Sequence, residues 1–108
     1  MSISTHVLDL AAGAPAAGIP VTLEFCVTPA SGWVVLGRGK TGADGRIRDL
    51  LPENQAIEPG VYCIRFDTSA ASPFFPSIAV QFLVADARQQ YHIPLVLSPF
   101  GYSTYRGG

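Results

Sequence analysis

The chain has two histidines, His6 near one end and His92 near the other. Histidine is the side chain best suited to take a proton from water near neutral pH, but it needs a partner that stabilises the charge its reaction creates. Arg46 offers such a charge. It follows Asp44-Gly45, a hairpin-like turn, and so stands at the mouth of a strand with its guanidinium free to aim at a ligand. By position alone each of the three also reads as structural, the histidines as hydrogen-bonded strand residues and the arginine as a solvated turn residue. Neither histidine has a second His, Cys or carboxylate at metal-ligand spacing. Asp9, three residues after His6, falls on the opposite face of a strand, so no metal is expected, and nothing calls for a cofactor. No serine sits in a Gly-x-Ser-x-Gly elbow and no Gly-rich phosphate loop occurs. Chemistry at these residues would therefore activate water directly, without a covalent intermediate.

The elements that must position them are short strands. Ile19, Val21, Leu23, Phe25 and Val27 alternate with Pro20, Thr22, Glu24 and Cys26, the period-two pattern of a half-buried strand. The same period runs through Ser77 to Val84, and again through Tyr91 to Leu97, where Tyr91, Ile93, Leu95 and Leu97 share one face and His92 lies on the other. Weaker candidates are His6 to Leu10, Trp33 to Lys40, Arg46 to Leu50, Val61 to Asp67 and Tyr102 to Arg106, for about eight strands in all. Turn signals separate them: Gly13 to Gly18 with Pro15, Asp44-Gly45, Pro59-Gly60, and Ala70 to Pro76 with its two prolines. No long segment shows a helical period, and the best site for a helical turn is Pro52 to Ala56. The expectation is an all-β sandwich or barrel in a single domain, residues 1–108.

Composition narrows the partners. Charged residues are 14% of the 108-residue chain, and mean hydropathy is +0.30, an apolar balance that a small domain cannot hide entirely inside itself; a homo-oligomer is expected. A net charge of -1 with seven scattered basic residues offers no patch for nucleic acid. The start, MSISTHVLDL, has no basic and apolar leader, and no stretch is long enough to span a bilayer, so a cytoplasmic location is expected. Cys26 and Cys63 then read as free thiols.

Three stretches taken together, STHVLDLAAGAPAAGIPVTLE, TGADGRI and YHIPLVLSPFGYSTYRGG, resemble the transthyretin-related 5-hydroxyisourate hydrolase family. The resemblance covers most of the chain. It implies a transthyretin-like sandwich of two four-stranded sheets with at most a very short helix, assembled as a homotetramer with sites between its dimers. It implies catalytic roles for His6, Arg46 and His92, and substrate binding by Tyr105, Arg106 and Gly107, so that the polar tail helps to line a pocket instead of fraying. The implied reaction opens the ring of 5-hydroxyisourate in purine catabolism, with histidine activating water and arginine holding the oxyanion. Which histidine is the base stays open. Two departures stand out: Gly108 occupies the position where the family pattern has Ser, and the stretch from Phe66 to Phe82 is shorter than its counterpart, so the family's short helix should be missing or reduced to a turn. A non-catalytic carrier with the same fold, or a structural β-sandwich, are the alternatives.

Overall fold

Period-two alternation becomes two packed sheets. The computed structural model describes residues 2–28 and 30–108. Its nine strands are β1 (Ile3–Asp9), β2 (Ala14–Pro15), β3 (Pro20–Thr28), β4 (Gly32–Lys40), β5 (Arg46–Ile47), β6 (Gly60–Asp67), β7 (Ser77–Val84), β8 (Tyr91–Ser98) and β9 (Gly101–Thr104). One sheet runs β4-β3-β6-β7; the other runs β2-β1-β8-β9, with β5 also paired to β1. The second sheet is thus four strands across but holds five, because β5 and β2 share one edge of β1 in succession. β5 takes Thr5 and His6, Val7 N–H donates to Gly45 O at 2.8 Å, and β2 takes Leu8 and Asp9.

The core lies between the sheets. Ile3 and Val7 of β1, with Tyr91, Ile93, Leu95 and Leu97 of β8, meet Val21 and Leu23 of β3 and Tyr62, Ile64 and Phe66 of β6, all at most 5% exposed. Each such side chain contributes about 1.5–3 kcal/mol by leaving water. Polar residues that join this layer bring partners: Thr5 Oγ1 donates to Ile93 O at 2.7 Å, and Thr41 Oγ1 donates to Ala16 O while accepting from Ile19 N–H. Both cysteines are free thiols, and burial raises the pKa of Cys63. Among the described residues no helix is long and apolar enough to cross a membrane.

Several expected elements are redrawn. β1 starts at Ile3, not His6, and runs parallel to β8 through seven residue pairs. β5 ends at Ile47, not Leu50: Asp49 Oδ1 accepts from Ile3 N–H and Leu51 N–H, which replaces ladder bonds by side-chain bonds, although Leu50 N–H still donates to Ile3 O. β9 covers Gly101–Thr104 and leaves Tyr105 and Arg106 beyond it. Pro52 to Ala56 holds a turn, with Gln55 N–H donating to Pro52 O and Asn54 at a φ of 70° that a helix cannot contain. Between Phe66 and Phe82 there is a turn in which Ala71 N–H and Ser72 N–H both donate to Thr68 O. Pro73 and Pro76 follow and cannot continue it.

Candidate active site

Parallel pairing of β1 with β8 decides which polar side chains meet. Register partners in a parallel ladder share a face, and Ser4 pairs with His92 while His6 pairs with Pro94. Because Ile3, Thr5 and Val7 point into the core, Ser4 and His6 point outward, and so does His92 between buried Tyr91 and Ile93. On the other edge of β1, His6 stands opposite Arg46. The result is one patch on the outer face of the β2-β1-β8-β9 sheet that joins residues 86 positions apart in sequence, from His6 to His92.

The turn before β5 explains how Arg46 gets there. Asp44 Oδ1 accepts from Arg46 N–H at 3.1 Å, and Gly45 N–H donates to Gly42 O. Gly45 has a φ of 76°, and a Cβ on it would lie 2.6 Å from Val7 O. Only glycine lets the turn press this closely on β1. Asp44 also pairs with Arg48, at 2.9 Å, and this bond holds its carboxyl below the usual carboxylate range. Arg46 forms no ion pair among the described residues.

A polar recess is lined by Ser2, Ser4, Arg46, Gln90, His92 and Gly108, among others. His92 Nδ1 lies 2.8 Å from Ser4 Oγ. Burial, together with the neighbouring Arg46 guanidinium and, less, His6, lowers the pKa of His92, so its neutral form prevails near pH 7. His6 is not on the recess wall. Its Nε2 is buried and has no hydrogen-bond partner among the described residues.

The tail divides. Gly107 N–H donates to His92 O at 2.7 Å, and the two residues form an isolated antiparallel bridge, so Gly107 and Gly108 adjoin the recess. Tyr105 and Arg106 do not. They line a second, mostly apolar recess with Val80, Phe82, Tyr91 and Ile93, where the two sheets part. There the Arg106 guanidinium sits 4.6 Å from the centre of the Tyr91 ring and donates to Gln89 Oε1 at 2.7 Å. Since Tyr91 and His92 point to opposite sides of β8, Arg106 is separated from His92 by the sheet.

Of the residues singled out from sequence, the fold brings Arg46 and His92 to one recess, with Gly107 and His6 beside it. Ser4 was not among them. Its position two residues before His6 puts both on one strand face, a signal that is present in the sequence, but its contact with His92 depends on register across two distant strands.

The arrangement suits general-base chemistry on a small polar molecule: a neutral imidazole, a guanidinium and a buried unpaired nitrogen around one recess. A family model described as Transthyretin: HIUase/Transthyretin family matches residues 3–107. The chain is 43% identical to the 5-hydroxyisourate hydrolase of Salmonella dublin, over 97% of this chain and 79% of that one. It is 40% identical to the 5-hydroxyisourate hydrolase of Mus musculus, over 97% and 93%. It is also 42% identical to the uric acid degradation bifunctional protein TTL of Arabidopsis thaliana, but spans only 36% of that protein's length. Among solved structures, the 5-hydroxyisourate hydrolase of Klebsiella pneumoniae superposes with a TM-score of 0.82 at 30% identity, covering 100% of both chains. Sea bream transthyretin in complex with thyroxine superposes with a TM-score of 0.87 at 31% identity, covering 99% of this chain and 95% of that one.

Proposed function

Since the chain belongs to the HIUase/Transthyretin family, we propose that it is a 5-hydroxyisourate hydrolase whose site is the recess between His92 and Arg46. The observation that carries this reading is the convergence of Arg46, His92 and His6 on one polar patch of a sheet face. A channel built only to hold an apolar ligand has no need of such groups.

The geometry supports the following course. Water attacks a carbonyl carbon of the substrate's six-membered ring as the imidazole takes its proton. The carbonyl oxygen becomes an oxyanion, which the Arg46 guanidinium stabilises. Collapse restores the C=O bond and breaks the ring C–N bond, and the departing nitrogen receives the proton that the imidazole holds. The product is a free carboxyl and a ureido arm, 2-oxo-4-hydroxy-4-carboxy-5-ureidoimidazoline. His92 is favoured as the base because it lines the recess and is kept neutral. His6 stands beside the recess, opposite Arg46 in the β1–β5 pair, and adds to the influences that keep His92 neutral.

Tyr105 and Arg106 then serve the site through the tail. Arg106, pinned on Tyr91 and Gln89, anchors the chain one residue before Gly107 meets His92. Assembly as a homotetramer encloses the recess against other copies. Its support is that β7 and β9 end their sheets with free edges and that Leu83, Tyr102 and Tyr105 are exposed nearby. Two free thiols suit a reducing cytoplasm.

The test is the decay of freshly generated 5-hydroxyisourate. The protein should accelerate it many-fold and Arg46→Ala should not. The competing reading, a carrier of small ligands, has the fit to the thyroxine complex of sea bream transthyretin in its favour. It predicts spontaneous decay rates for both proteins and ligand binding that survives replacement of both histidines.

A further inference from the structure

We infer that Ser4 is a positioning residue for His92: by accepting a hydrogen bond from Nδ1–H it fixes the tautomer whose bare Nε2 faces the substrate. The inference rests on the hydrolase reading for its consequence but not for its geometry.

The imidazole is held on two sides. On one, Ser4 Oγ lies 2.8 Å from Nδ1, and the parallel register that pairs Ser4 with His92 is locked next door by Thr5 Oγ1 on Ile93 O. On the other, Gly107 packs against the ring, with the position of a Cβ only 2.3 Å from Cδ2. The ring is thus flanked by Ser4 and by Gly107, and Nε2 is the ring nitrogen that Ser4 does not engage. A neutral imidazole carries one proton, and a base must present the nitrogen that lacks it. With Nδ1–H donating to Ser4, that nitrogen is Nε2. The same bond persists when the base takes a proton, because Nδ1–H remains the donor, so Ser4 stabilises the imidazolium formed during attack.

The partner's being a hydroxyl has a consequence of its own. A carboxylate at this place would raise the pKa of His92, whereas Ser4 leaves the downward influences in charge. The charged or titratable groups around His92 are Arg46 and Arg48 from the β5 segment and His6 from β1; Ser4 and Gln90 are neutral. Asp44, the acid of the same turn, is paired with Arg48.

The experiment uses ¹⁵N-histidine-labelled protein, with long-range ¹H–¹⁵N spectra that distinguish a protonated ring nitrogen from a bare one, alongside steady-state kinetics. In the wild type at neutral pH, His92 should carry its proton on Nδ1. Ser4→Ala should mix the tautomers and lower kcat by about tenfold with KM changed by less than about twofold; Ser4→Thr, which keeps the hydroxyl, should restore both. A wild-type His92 protonated on Nε2, or a Ser4→Ala protein with unchanged tautomer and kcat, overturns the inference. If the wild type fails to hydrolyse 5-hydroxyisourate, the hydrolase reading falls while the tautomer spectra still decide whether Ser4 orients His92.

Discussion

Gly107 lies flat against His92, so close that a methyl group on it would stand 2.3 Å from Cδ2 and 3.0 Å from Cγ of the ring, while its N–H holds the His92 carbonyl at 2.7 Å. Glycine is required here by space, since the φ of Gly107 is not among the positive values. The backbone bond brings the tail to β8, and the missing Cβ lets it approach the imidazole.

Gly107→Ala should therefore move the His92 ring. A displacement of about 1 Å at a reacting group costs on the order of a hundredfold in rate. The residue lies outside the core, so thermal stability should change little, by less than about 5 °C. Turnover and a melting curve on the same preparation check this, and wild-type turnover in the variant would refute the packing argument.

The pH dependence has a definite sign. His92 is held below the ordinary histidine pKa of about 6.5, so hydrolysis should persist into mildly acidic solution and fail only as pH drops through the depressed value. Stability follows the same direction. Below about pH 6.5 the unfolded chain binds a proton at this residue that the folded chain resists, so the contribution is intact above that pH and lost as pH falls through the folded pKa. Arg46→Ala removes one cause of the depression and should shift the His92 titration upward. NMR titration of the ring tests this even where the variant is inactive; an unmoved midpoint would contradict the proximity of the two charges.

Gly45→Ala should harm both fold and function. The residue has a left-handed φ, and the new methyl would meet Val7 O at 2.6 Å and Pro15 Cβ at 2.9 Å. Backbone strain of this kind costs about 1–3 kcal/mol before any clash is relieved. Relief must displace the turn from β1 and Arg46 with it. A lowered urea midpoint together with reduced kcat is expected, and an unchanged midpoint would show that the turn can shift freely.

At Gly108 the opposite is expected. A Cβ there would meet nothing within 4 Å, and the residue lines the recess. Gly108→Ser therefore places a hydroxyl at the site without strain. One additional hydrogen bond of about 1 kcal/mol to the reacting substrate corresponds to roughly a fivefold gain in kcat. A rate equal to or below that of the wild type would mean that the hydroxyl finds no productive partner in this chain.

Much of this protein was legible in its residues. The alternation of Tyr91, Ile93, Leu95 and Leu97 with His92 between the first two set the face of β8 toward the core and the histidine away from it, because a strand's side chains have a period of two whatever they pack against. Asp44-Gly45 announced the turn that carries Arg46, since few residues adopt a φ of 76°. The start of β1 was hidden because Thr5 is polar yet fully buried; its hydroxyl is satisfied by Ile93 O, a partner 88 residues away. β2 was hidden because Ala14–Pro15 has no pattern of its own and is a strand only by pairing with β1.

Register and sidedness across distant strands were decided by tertiary structure alone. Local sequence contains no record of which residue of β1 faces which residue of β8, so the contact of Ser4 with His92 arises from packing Ile3, Thr5 and Val7 into the same core as Tyr91, Ile93 and Leu95. The tail shows the same limit. Tyr105, Arg106 and Gly107 are neighbours in sequence, but the sheet edge passes between them, sending Arg106 to the Tyr91 side and Gly107 to the ring of His92. Residue types determined what chemistry was on offer; the burial of one face of β8 determined which residues share it.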